Sequence, residues 1–153
     1  MFTLRSPAFA DGQPIPDRHA RDGGNLSPAL EWSDPPPGTG SFVLIVEDPD
    51  APAPAFRHWA VYDIPAERRA LPEYGPDPGP HAISVGVNSF GNPYYDGPQP
   101  PPGDPAHTYR FRLIAVGVRT LGFTRQPSAG EIWDATRDNI LSEAELTGTY
   151  VHR

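Results

Sequence analysis

The chain has 153 residues, 12 basic against 19 acidic side chains, a formal charge of −7 and no cysteine. That length suits one domain, residues 1–153, whose core hides roughly two-thirds of the surface of the unfolded chain. The acidic balance without any basic run argues against nucleic acid as a partner, and the missing cysteines exclude disulfides, thiol nucleophiles and thiolate-held metals.

The start, Met1-Phe2-Thr3-Leu4-Arg5-Ser6-Pro7, lacks the basic-then-apolar layout of a signal peptide, and no segment is long and apolar enough to cross a bilayer, so the cytoplasm is the expected location. From Asp11 to Pro28 no periodicity is visible. Short apolar segments then follow, separated by proline and glycine: Ala29 to Ser33, Ser41 to Glu47, His58 to Ile64, Ala82 to Val87 and Tyr109 to Val118. They read as strands of a β-sandwich or barrel. The run Ser41-Phe42-Val43-Leu44-Ile45-Val46-Glu47 is apolar nearly throughout and rich in β-branched residues, which predicts a central strand covered on both faces. In Tyr109-Arg110-Phe111-Arg112-Leu113 apolar and basic residues alternate, which predicts one buried and one wet face.

The segment Asn88 to His107 carries Gly97-Pro98-Gln99-Pro100-Pro101-Pro102-Gly103 and reads as a rigid functional loop, because proline fixes φ and restricts the residue before it. Near the C-terminus, Ser128 followed by Glu131 forms a capping box, and Ile132, Ala135 or Thr136, Asn139 and Ile140 follow at helical spacing. Glu145 to Val151 returns to strand chemistry.

The chemistry concentrates at strand ends. Asp48-Pro49-Asp50-Ala51-Pro52 closes the most apolar strand, where a carboxylate needs donors, cations or water, since burying it unpaired costs several kcal/mol, in order of magnitude about 3–5. His58 and His107 each open a strand after a loop. If those strands are neighbours, both imidazoles come to the end of the sheet that holds Asp48 and Asp50. Phe56, Tyr94 and Tyr95 would rim such a site, or could equally form a homodimer contact. Taken singly, the two aspartates are also compatible with an exposed turn, and either histidine with a structural role.

The ordered strings Gly38-Thr39-Gly40-Ser41-Phe42-Val43-Leu44-Ile45-Val46-Glu47-Asp48-Pro49-Asp50-Ala51-Pro52, His58-Trp59, Phe90-Gly91, Tyr95-Asp96-Gly97-Pro98, Pro101 to Gly103, and His107 with Tyr109 resemble the bacterial, Raf-kinase-inhibitor-like group of the phosphatidylethanolamine-binding protein family. Ser27 to Trp32 and Glu145 to Tyr150 resemble its flanking segments in the same order. The resemblance implies a mainly β fold, an antiparallel Greek-key sandwich with a C-terminal helix, and a small pocket for phosphate-type anions or phosphorylated head groups. It places that pocket on Asp48, Asp50, Pro52, His58, Gly97, Pro98, His107 and Tyr109, with no cofactor. It further implies a regulatory or inhibitory role, with phospholipid head groups, nucleotides, a kinase or a protease as the open set of partners. Two positions depart from the family: Thr108 stands where an arginine is usual, and Tyr94 where a glycine is usual.

Two aspartates beside an anion site call for donors. The expectation is that a neighbouring carboxylate favours the imidazolium of His58 or His107 and that backbone amides around Gly97 and the Tyr109 hydroxyl add donors; alternatively, the aspartates, Asp50 among them, recognise the ammonium group of a zwitterionic head group. The alternative reading is a metal-dependent hydrolase built on the Asp/His cluster, although no motif sets metal-ligand spacing.

Overall fold

Two sheets, one α-helix and a 3-10 turn at Asp17–His19 make up the regular structure in a computed structural model that describes residues 1–52, 56–75 and 83–152. The strands are β1 (Thr3–Arg5), β2 (Gln13–Pro14), β3 (Leu30–Ser33), β4 (Ser41–Asp48), β5 (Phe56–Pro65), β6 (Ala70–Leu71), β7 (Ser84–Val85), β8 (His107–Val116) and β9 (Ile140–Tyr150), with helix α1 (Ala129–Thr136) before the last. A small sheet runs β1-β3-β6, and a large one runs β2-β9-β8-β4-β5-β7. Every pairing is antiparallel except β2 against β9, which is parallel.

All eight residues of β4 are buried, as its apolar run predicts. Because successive side chains point to opposite faces, Phe42, Leu44 and Val46 join the core with Leu4, Leu30 and Trp32 of the small sheet, while Val43 and Ile45 pack with Ala129 and Ile132 of α1. Each such side chain taken fully out of water contributes about 1.5–3 kcal/mol. The result is three layers, with β4 in the middle one.

The wet face expected for β8 is partly covered. Arg112 lies 4.6 Å from the Trp133 ring centre on α1, and it pairs with Glu47 and Glu143 at 3.2 and 2.5 Å. A charged side chain at that position is tolerated because two carboxylates and an aromatic face replace its water.

Helix α1 begins where the capping box places it: Ser128 accepts from the Glu131 amide, and Glu131 returns a bond to the Ser128 amide. It ends at Thr136, short of the expected Asn139 and Ile140, since Asn139 turns its side-chain amide onto the Ala135 carbonyl and Ile140 pairs with Val116 of β8. The strand expected over Ala82 to Val87 reduces to Ser84–Val85, with Ala82 outside the described residues. β8 starts two residues earlier than expected and β9 five residues earlier, while β1, β2 and β6 are too short to show a period.

One consequence of register governs the site. β4 is flanked by β5 and β8, with Asp48 opposite Phe56 and Glu47 opposite Arg110. The last residue of β4 therefore lies beside the first residues of both neighbours, and these carry the two histidines.

Candidate functional site

At that end of the large sheet, Asp48, Ala51, Pro52, Phe56, His58, Phe90, Gln99, Pro100, Pro101, His107 and Tyr109 enclose an open hollow of about 280 Å³. Of the expected site residues, Asp48, Pro52, His58, His107 and Tyr109 line it. Asp50, Gly97 and Pro98 stand one step back, each with a bracing contact. The Asp50 amide donates to Asp48 Oδ1 at 2.8 Å, and its exposed carboxylate accepts from the Thr108 amide at 2.7 Å, tying the ends of β4 and β8 together. Pro98 O accepts from the Arg21 amide at 3.0 Å.

The Gly97 amide donates to Asn25 Oδ1 at 2.7 Å, so it is not the free donor that sequence reasoning expects. Glycine is required there for another reason. A Cβ at this position would fall 1.9 Å from the His19 carbonyl oxygen, far inside contact distance, so only a residue without a side chain lets the two backbones approach.

His58 is buried and held through one nitrogen. Its Nδ1 lies 2.8 Å from the Asp96 carbonyl oxygen and 3.1 Å from that of Gly97. Carbonyl oxygens only accept, so Nδ1 carries the hydrogen, and in the neutral ring Nε2 presents a lone pair. Burial pushes the His58 pKa below its ordinary value, against the smaller opposing pull of the Asp96 and Gly97 carbonyls and the Asp48 charge. The expectation of an imidazolium at this position is therefore corrected: desolvation outweighs the carboxylates. The ring is packed edge-on among Phe56, Phe90 and Tyr109, at 5.3, 5.2 and 5.3 Å between centres.

His107 has the reverse surroundings. Its Nδ1 donates to Asp48 Oδ2 at 2.6 Å, and its Nε2 to Asp104 Oδ2 at 3.0 Å. Burial would lower its pKa, but the bonds to Asp48 and Asp104 and their charges together raise it above the ordinary histidine value. The cation is thus favoured, and in that form both of its N–H groups are engaged. The Asp48–His107–Asp104 triad carries one negative charge when the ring is protonated.

Tyr109 is 1% exposed; its hydroxyl hydrogen meets no acceptor among the described residues, while the Gln99 amide acts on its oxygen. Burial and the nearby Asp48 charge push its pKa well above the ordinary phenol value, so it remains a neutral donor. An unpaired buried hydroxyl costs roughly 1–3 kcal/mol, and in a lining residue it favours a ligand or water in the hollow.

Behind His58 sits a second buried carboxylate, absent from the sequence reading as a functional group. Asp96 is 2% exposed and accepts from the side-chain amides of Asn88 (2.9 Å), Asn92 (2.8 Å) and Asn25 (3.1 Å) and from Arg21 Nε (3.3 Å). Burial pushes its pKa up, but those donors outweigh it and hold the carboxyl below the usual range. Arg21 also stacks 4.1 Å from the Phe90 ring centre and donates to Gln99 Oε1 at 2.8 Å, so one side chain from the unassigned segment before β3 fixes two parts of the wall. Of the expected rim, Phe56 is in place. Tyr94 lines a different recess of about 120 Å³, and Tyr95 is core, its hydroxyl donating to the His19 carbonyl at 2.7 Å.

Among the described residues no group of three or more histidine, aspartate or glutamate side chains is arranged to hold a metal ion. The hydrolase alternative therefore has no ligand set there: Asp48 and Asp104 bind the two nitrogens of His107 instead.

A family model described as phosphatidylethanolamine-binding protein matches residues 5–151. The chain belongs to that family. An Aquifex aeolicus UPF0098 protein is 42% identical over 146 residues, covering 95% of this chain and 85% of the relative, and Escherichia coli YbhB is 35% identical over 157 residues, covering 96% and 98%. Among solved structures, E. coli YbcL, a member of the mammalian PEBP family, superposes with a TM-score of 0.93 at 32% identity over 99% of both chains. The Chlamydia trachomatis homologue CT736 gives 0.86 at 34% identity, over 99% of this chain and 98% of that one. These likenesses establish the mainly β fold and a protein of the general binding or regulatory kind.

Proposed function

We propose that the hollow at the end of β4, β5 and β8 binds a small phosphate-type anion or a phosphorylated head group, and that the protein acts as a binding or regulatory module rather than as an enzyme. The buried Tyr109 hydroxyl, whose hydrogen finds no acceptor among the described residues, carries this reading. It lies in a concave, largely apolar site whose other polar side chains, apart from His58 Nε2, already have partners: Asp48 with His107 and the Asp50 amide, His107 also with Asp104, and Gln99 with Arg21 and Asp22. Few, well-placed polar groups among apolar walls is the ordinary construction of a small-ligand site. The partner class that goes with the family, a kinase or protease reached in the cytoplasm, would meet the molecule at this open face.

The test is calorimetric titration of inorganic phosphate and phosphorylethanolamine into the wild type and Tyr109→Phe. The variant removes one oxygen from a packed ring, so the fold should persist. Affinity should fall about tenfold, the equivalent of about 1.4 kcal/mol for one hydrogen bond to a charged acceptor. Unchanged affinity in the variant, or no binding to the wild type at millimolar concentrations, would remove the proposal.

A further inference from the structure

Resting on that reading, the arrangement of donors and acceptors defines the ligand more narrowly. We infer that the hollow selects an oxyanion that still carries a proton, a phosphomonoester or hydrogen-phosphate monoanion, because His58 Nε2 offers it a lone pair and Tyr109 offers it a hydroxyl hydrogen.

All twelve basic side chains of the protein are arginines, and none lines the hollow. Arg21, stacked on Phe90, is bonded to Asp96 and Gln99. The imidazolium of His107 lies between Asp48 and Asp104 and has no hydrogen left to give. A dianion entering this space would meet the Asp48 carboxylate with no free cation to balance it, and charge repulsion across a low-dielectric site is costly.

Two backbone carbonyls fix the hydrogen on Nδ1, and Nε2 makes no hydrogen bond to a described residue. The charged and titratable groups around the ring are Asp48 from β4, His107 and Tyr109 from β8, and Asp96 from the loop behind it, with Arg21 beyond Asp96. Burial outweighs their influence and keeps the ring neutral at physiological pH. A fully ionised oxygen placed at that lone pair would be repelled, whereas a P–OH hydrogen would bond to it. A site built around a hydrogen bond rejects an analogue lacking the hydrogen far more strongly than an apolar pocket rejects a change of size, because the polar group is left unpaired. Whichever atom ends with the proton, the complex holds one more proton than neutral His58 and the ligand dianion together.

This separates two sources of the same head-group chemistry. A phosphomonoester such as phosphorylethanolamine has a second pKa near ~6 and carries the hydrogen at mildly acidic pH. A phosphodiester, as in an intact phospholipid head group, has no such hydrogen, and sulfate is fully ionised.

The experiment is calorimetry on the intact wild-type protein at pH 5.5 with phosphorylethanolamine, glycerophosphorylethanolamine and sulfate, followed by phosphorylethanolamine alone up to pH 8.5. Phosphorylethanolamine should bind at least ~10-fold more tightly than the other two, and its affinity should fall by about tenfold per pH unit above ~6. At pH 8 two buffers of different ionisation heat should show uptake of one proton per ligand bound. His58→Gln, whose amide can donate as well as accept, should close the gap between phosphorylethanolamine and sulfate to less than about threefold. Equal affinity for all three ligands, or binding without proton uptake, would overturn the selectivity while leaving an anion site. Binding of none of them would overturn the site itself.

Discussion

On the β5 flank of the hollow a buried histidine faces two backbone carbonyls; on the β8 flank another faces two carboxylates. Both rings are almost out of water, at 3% and 5% exposure, so burial acts on each in the same direction. The partners decide the outcome. Carbonyl oxygens are dipoles that fix a tautomer without compensating a full charge, and His58 stays neutral. Two carboxylates compensate it, and His107 stays protonated. Sequence spacing makes the two histidines look equivalent, whereas their acceptors make one an open lone pair and the other a closed cation. The aspartates divide in the same way: Asp96 is held ionised by four donors and sealed, while Asp48 shares a proton-bearing neighbour and lines the hollow.

The largest effect should come from removing the support behind the neutral ring. Asp96→Ala strands the amides of Asn25, Asn88 and Asn92 and the Arg21 guanidinium in a buried place. A loss of about 3 kcal/mol follows, a fall in Tm of roughly 10 °C for a chain of this length. A change of less than 1 kcal/mol in a denaturant titration would mean that the hub is not what holds His58 in place.

A smaller, signed effect distinguishes the flanks through pH. Folded His107 holds its proton more tightly than the unfolded chain does, so its contribution to stability is complete below about pH 6.5 and is lost as pH rises through its higher folded value. His58 contributes in the opposite sense, fully above about pH 6.5 and progressively less as pH falls through its lower folded value. Asp96 adds to the acid limb only further down, as its carboxyl protonates below the usual range. In Tm measured against pH, His107→Gln should flatten the alkaline side and leave the acid side sloping. The reverse pattern would exchange the roles of the two rings.

The smallest stability effect belongs to Asp104→Asn. Asp104 is 44% exposed, and its link to His107 at 3.0 Å is partly solvated, so the loss should be within about 1 kcal/mol. The His107 pKa should nevertheless move downward in an NMR titration, because one of its two carboxylates is gone. No movement would place the whole stabilisation on Asp48.

Much of this was legible in the residues. The apolar run of β4, the Asp48 turn at its end and the histidines near the starts of β5 and β8 all carry their own signals, and strand register brings them together. What escaped the reading lacks such signals. Arg21 and Asn25 lie in a segment with no periodicity, and their contacts to Asp96 span 75 and 71 residues. Asp104 was within reach: three residues before His107, its carboxylate can meet the ring across a tight turn. The charge of each histidine was not legible at all, since it depends on which atoms face the ring nitrogens, and two of those atoms belong to the backbone at Asp96 and Gly97. For the same reason Gly97 reads as a donor in the sequence and proves to be a close-packed backbone.

The difference between the two rings can be observed directly. In ¹⁵N-detected NMR of the labelled protein at pH 7, His58 should be a neutral ring with its hydrogen on Nδ1 and a bare Nε2, while His107 should be an imidazolium with both nitrogens protonated. A protonated His58, or a neutral His107 at that pH, would contradict the division of charge across the hollow from which the ligand preference follows.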